Sequence, residues 1–382
     1  MTSRPTRDEH LFGDGPKRIL SLDGGGIRGA LTLGYLGRIE ELLRERHGGD
    51  PDFRLCDYFD LIGGTSTGSI IATGLVLGFS VEKLARIYRS LGEQVFEAGF
   101  WRIGVIGAKF PKEPLQEALH THFGDETLGS ENLRTGLMVM TKRLDTGSPW
   151  LFHNNPRGEY FGAAPGRSGN QDLLLRNIVR ASTAAPHYFD PELIEIGPGI
   201  AGAFVDGGVS PYNNPAMQML MLATCSGYGL NWPFGADRLL LVSAGTGFRT
   251  LAEPAAEVVG MPAVRLAAES MMSIMEDANW LGQAILQWMA DSPTSWTIDR
   301  EIGDLRSDML GGRSPLISYL RYEVQFESRW LREVLGVELS DEQCVELCAM
   351  DRAENVSRLA SLGHKAALVQ VRSEQFPTAF DR

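Results

Sequence analysis

Tyr58-Phe59-Asp60-Leu61-Ile62-Gly63-Gly64-Thr65-Ser66-Thr67-Gly68-Ser69-Ile70-Ile71 is the stretch that decides the fold. Tyr58 to Ile62 is a short apolar run with the composition of a buried strand, and glycines close it. From Ser69 the apolar residues run past Ile70 and Leu75, which predicts a helix. The same grammar occurs upstream. Arg18-Ile19-Leu20-Ser21-Leu22 reads as a strand closed by Asp23-Gly24-Gly25-Gly26, and Leu31, Tyr35, Leu36, Ile39, Leu42 and Leu43 then recur at helical spacing. Strand, glycine turn and helix, repeated, predict an α/β fold around a parallel sheet.

Working outward, further strands are predicted at 137–144, 203–205 and 238–244, with a β-like run at 316–326. Helices fit 81–92, 114–123 and 173–181. The Gly-, Pro- and Asn-rich stretch 145–169 is expected as an exposed surface excursion. Residues 1–16 read as a polar tail. From about residue 252 the pattern changes to long amphipathic helices. The expected organisation is a tail (1–16), a catalytic domain (17–250) and a helix-rich portion (251–382) packed on it.

The composition narrows the function. With 36 Lys and Arg against 48 Asp and Glu, the formal charge is −12, which argues against nucleic acid as a partner. Residues 61–79 carry no charge, but their Gly, Ser and Thr content and strand-to-turn start predict buried strand plus buried helix rather than a membrane span. The first ten residues have no apolar core, so no leader or anchor is expected there, and the chain is expected in the cytoplasm, with peripheral membrane contact left open. The four cysteines form no CxxC pair and are expected to be reduced, without a metal.

Three motifs carry chemistry. Gly64-Thr65-Ser66-Thr67-Gly68 is a GxSxG sequence placed between strand and helix, the turn that pushes a serine hydroxyl outward at a helix N-terminus. Its bland counterpart is a βα turn whose serine only caps the helix. Asp23-Gly24-Gly25-Gly26-Ile27-Arg28-Gly29 can aim backbone N–H groups into one concavity. It lacks the GxGxxG or GK[ST] pattern of a nucleotide loop, and an oxyanion hole fits better. Arg28 could add positive charge or anchor the loop. Val205-Asp206-Gly207-Gly208 can present a carboxylate at a strand end as base for the serine. None of the seven histidines completes a triad convincingly, with His153 and His187 left open.

Together these motifs, in this order, resemble the patatin-like phospholipases. Arg180-Ala181-Ser182-Thr183-Ala184-Ala185-Pro186, Asn213-Asn214-Pro215 and Ser243-Ala244-Gly245-Thr246-Gly247 are similar to further segments of that family. The resemblance covers 17–250 firmly; Tyr319-Leu320-Arg321-Tyr322 and Met350-Asp351 are similar to bacterial members less specifically. It implies a three-layer fold with a mostly parallel sheet. It also implies a Ser66–Asp206 dyad, an acyl-enzyme intermediate, and oxyanion binding by Gly24, Gly25 and Gly26 with Arg28. No cofactor or metal is implied, and the substrate would be a lipid or membrane surface. Two other readings stay open: an esterase or thioesterase on soluble esters, and a membrane-damaging effector needing an activator, either a second messenger or a protein. A homo-oligomer is equally open. Met and aromatic residues at helical spacing over 264–290, including Met271, Met272 and Met275, fit core packing or a lid over an acyl groove.

Overall fold

The computed structural model describes residues 4–92, 95, 110–165, 167–250, 255–312 and 314–381, with the side chains of 268, 271 and 272 excluded. Met271 and Met272 of the expected lid stripe therefore lie outside the described side chains.

Among the described residues nine strands form one sheet: β1 (Lys17–Leu22), β2 (Leu61–Thr65), β3 (Gly136–Arg143), β4 (Ser148–His153), β5 (Glu192–Gly197), β6 (Ile200–Asp206), β7 (Leu239–Ala244), β8 (Ala290–Asp291) and β9 (Ile317–Tyr322). Their order is β5-β6-β3-β2-β1-β7-β9-β8, with β4 also on β3. The run from β3 to β8 is parallel, whereas β4, β5 and β6 join antiparallel. β1 lies between β2 and β7 and is buried throughout, as a parallel strand covered on both faces must be.

Side-chain alternation splits the core into two layers. Leu20, Leu22, Ile62, Val242 and Leu320 face the helices Gly29–Arg46, Thr67–Val76 and Val356–Gln370. Ile19, Leu61, Met138, Leu241 and Tyr319 face the helix Ala216–Thr224 and Leu286 on the other side. The result is the expected three-layer α/β fold. The helices Gly29–Arg46 and Val356–Gln370 pack together, and a Cβ on Gly34 would lie 2.2 Å from the carbonyl carbon of Gly363. Only glycine permits that crossing.

Two sequence expectations are corrected. Residues 7–12 of the supposed tail form a helix, Arg7–Phe12, with a Thr6–Glu9 capping box. It buries Leu11 in the core, and His10 Nδ1 lies 2.9 Å from Asp60 Oδ1. The stretch 145–169 begins with β4, because Phe152 and Trp150 pack on Phe204 of β6. β5 was not anticipated at all. The C-terminal helical pattern is real, the β-like run expected at 316–326 is β9, and β8, which was not expected, joins it in the sheet.

Candidate active site

The C-terminal ends of β1, β2 and β6 converge on one cavity. Ser66 follows β2 and precedes the helix Thr67–Val76, with φ 54° and ψ −124°. A non-glycine residue at positive φ is strained, and neighbours must hold it. Its N–H donates to Ser182 Oγ at 2.8 Å, and Ser182 donates onward to the Met140 carbonyl at 2.6 Å. Its carbonyl accepts from the N–H of Ser69 at 2.8 Å and from Ser69 Oγ at 2.6 Å. The tight turn needs the flanking glycines: a Cβ on Gly64 would lie 2.2 Å from the Gly68 carbonyl carbon. The Ser66 side chain makes no capping bond, so the bland reading of a helix cap fails.

Asp206 ends β6, is buried, and lines the cavity beside Ser66. Its Oδ1 accepts the N–H of Gly208 at 2.7 Å. Burial pushes its carboxyl from 3.8 up to about 6, against the lowering influence of the Ser66 hydroxyl and the Gly208 N–H. A carboxylate so placed is a better base than a free one and still ionises near neutrality.

The glycine loop is held from several sides. Of the three glycines expected to present N–H groups, Gly24 donates its own to the Asn213 carbonyl at 3.0 Å. Gly25 and Gly26 line the cavity, and among the described residues their N–H groups find no partner. The N–H of Ile27 donates to the Met350 carbonyl at 2.9 Å, and the Tyr88 hydroxyl bonds the Gly26 carbonyl. Arg28 does not line the cavity; its Nε reaches back to the Gly25 carbonyl at 3.4 Å, bracing the loop.

The cavity, of about 220 Å³, has polar groups at one end: Ser66, Asp206, Asn213 and the glycine loop. Ile70, Leu91, Leu115 and Phe189 form apolar walls beyond them, and Met275 of the helix Ala263–Met289 joins the lining. Leu286 of the same helix is core, while Val264, Ile274 and Leu281 are exposed. Neither histidine left open belongs here. His153 is half-buried against Tyr228, where desolvation lowers its pKa to about 4, and His187 is exposed at φ 74°. No group of three His, Cys, Asp or Glu side chains able to hold a metal occurs among the described residues. Sequence reasoning missed Ser182, Tyr88 and Thr246 as supports. Ser182 lies in a segment that was singled out, but nothing local says which distant N–H it accepts.

Ser66, the buried Asp206 carboxylate and the glycine loop thus line one cavity, an arrangement with the parts that acyl transfer needs. Comparison with known proteins narrows this further. Residues 20–220 match the family model described as patatin-like phospholipase, and the chain belongs to that family. It is 34% identical over 203 residues to a cGAMP-activated phospholipase of Escherichia coli (strain TW11681), covering 52% of this chain and 53% of that protein. It is 32% identical over 222 residues to a cGAMP-activated phospholipase of Vibrio cholerae, covering 56% and 58%. Patatin-17 of Solanum cardiophyllum is 26% identical over 249 residues, covering 60% of each. The matches thus span little more than half the length of these relatives. Human GIVD cytosolic phospholipase A2 aligns with a TM-score of 0.43 at 12% identity, over 97% of this chain and 59% of that one.

Proposed function

We propose that this chain is a lipid acyl hydrolase of phospholipase A type, cleaving acyl esters through Ser66 and Asp206 under the control of an activator. The observation that carries the reading is the Ser66–Asp206 contact at the polar end of an apolar cavity. Ser66 Oγ attacks the ester carbonyl while Asp206 takes its proton. The oxygen that becomes negative accepts from the N–H groups of Gly25 and Gly26, near the positive end of the helix Thr67–Val76. Asp206 then protonates the departing alcohol, leaving an acyl-enzyme. Water, deprotonated by Asp206, attacks that ester, and the fatty acid leaves as Ser66 recovers its proton.

A lipid substrate is favoured by the apolar walls and by exposed Val264, Ile274 and Leu281 on the helix that brings Met275 to the cavity. Among the described residues no helix is long and apolar enough to cross a membrane. The activator is favoured by the relatives described as cGAMP-activated and cUMP-AMP-activated phospholipases. A cyclic dinucleotide is the corresponding class of ligand.

The test is fatty-acid release from phospholipid vesicles, with and without cGAMP or cUMP-AMP. Wild type, Ser66→Ala and Asp206→Asn are compared. Release by wild type that rises with one nucleotide and disappears in both variants is expected. Release that survives Ser66→Ala refutes the dyad, and release equal without nucleotide refutes activation by those ligands.

A further inference from the structure

Gly24, Gly25 and Gly26 have no side chains with which to hold their own geometry, and glycine has the widest conformational freedom of any residue. Their N–H groups can meet a developing oxyanion only if the loop is fixed from outside. The loop springs from Asp23, whose carboxylate is buried. Its partner comes from a distant part of the chain. Arg321 of β9 donates from Nη1 to Asp23 Oδ1 at 3.0 Å and from Nη2 to Oδ2 at 2.6 Å, a two-pronged pair with a fixed plane.

Arg321 is itself oriented. Nη1 also donates to Ser243 Oγ at 2.6 Å, and Nη2 to Glu323 Oε2 at 2.6 Å. Glu323 Oε1 accepts the N–H of Gly247 at 2.6 Å. Next to Gly247, Thr246 Oγ1 donates to the Gly24 carbonyl at 2.9 Å. The same buried group therefore reaches the loop along two routes, through Asp23 and through the turn after β7. Arg321 lies outside residues 20–220, the part matched to the family.

We propose that Arg321, by its two-pronged hold on Asp23, is a positioning residue that sets the Gly25 and Gly26 N–H groups for oxyanion binding. The inference rests on the acyl-hydrolase reading. It makes β9 a functional part of the site although its residues touch no substrate.

The test uses the full chain, with Asp23→Asn, which keeps the shape and removes the charge, and Arg321→Lys, which keeps the charge and removes the fork. Turnover is followed with a medium-chain p-nitrophenyl ester. Binding is measured for an alkyl trifluoromethyl ketone, whose carbonyl carbon bonds Ser66 Oγ while the proton passes to Asp206. The matching secondary alcohol, which forms no oxyanion, is the control. For both variants kcat is expected to fall about 100-fold, with KM within about threefold of wild type. Ketone affinity should fall by a similar factor while alcohol affinity holds. The ketone-to-alcohol ratio is read on folded protein, so partial unfolding does not move it. Unchanged kcat in either folded variant, or equal loss of ketone and alcohol binding, overturns the proposal. A wild type that neither turns over the ester nor binds the ketone, with cyclic dinucleotide present, refutes the acyl-hydrolase reading itself.

Discussion

Replacing Asp206 by Asn should abolish turnover and make the fold more stable at pH 8. The carboxyl titrates near 6 in the fold, because burial disfavours its charge, against 3.8 in an exposed chain. The native state therefore holds the proton more tightly, and stability falls as pH rises from 3.8 through about 6. Above both values the full cost applies. At about 1.36 kcal/mol per pH unit it amounts to about 3 kcal/mol. Asparagine removes the charge yet can keep the Oδ1 contact with the Gly208 N–H. An unfolding entropy of about 2.1 cal/mol/K per residue over this chain gives about 0.8 kcal/mol/K, so Tm should rise by about 4 °C at pH 8. At pH 5 the native carboxyl is mostly protonated, and the gain should shrink to roughly half. Thermal melts of both proteins at the two pH values are the assay. An Asn variant that melts no higher at pH 8, or gains as much at pH 5, would show that Asp206 carries no such burden.

Four further outcomes follow from the same geometry. Ser66→Gly should melt above Ser66→Ala by roughly 1 kcal/mol, because only glycine relieves the positive φ; denaturant titration of the two inactive variants decides. With Asp206 as the proposed base in its ionised form, kcat/KM should climb with pH, pass half its plateau near the value of about 6, and stay level to pH 8. A profile flat from pH 5 to 7 would exclude it as the base. Ser182→Ala leaves the Ser66 N–H without its acceptor, and urea titration should show a loss of about 1–3 kcal/mol together with reduced turnover. Gly363→Ala would place a Cβ 2.2 Å from the Leu31 carbonyl oxygen, and calorimetry should show a loss of about 1–3 kcal/mol.

What is legible in the sequence is what local physics dictates. β1, β2 and β7 announce themselves because a strand buried on both faces must be apolar along its length. The serine turn is legible because the close approach of Gly64 to Gly68 admits nothing larger. β4 and β5 are less visible, since strands half exposed at the antiparallel edge carry a broken apolar pattern. Leu11 and Phe12 are too few to reveal the first helix, whose anchor is the buried His10–Asp60 contact formed by tertiary structure. Arg28 stands inside a motif, and its neighbours suggest a charged role; only the fold shows it turned toward the Gly25 carbonyl. Arg321 is the sharpest case. An arginine in an apolar strand reads as an anomaly until Asp23, 298 positions away, is seen beside it.

The sheet order bears on how the molecule comes into being. β1 pairs with β2 on one side, but on the other Arg18 meets Leu240, and Leu240 in turn meets Ser318. Its neighbours are thus drawn from both halves of the chain. Such a topology has high contact order, and closing long loops before any pairing repays their entropy makes folding slow. During synthesis the ribosome must deliver the chain past β9 before the strand flanking β7 exists, while the elbow after β2 is made early. The nucleophile would thus be present well before the machinery around it, and catalytic competence should appear late in refolding, after most helical signal has returned.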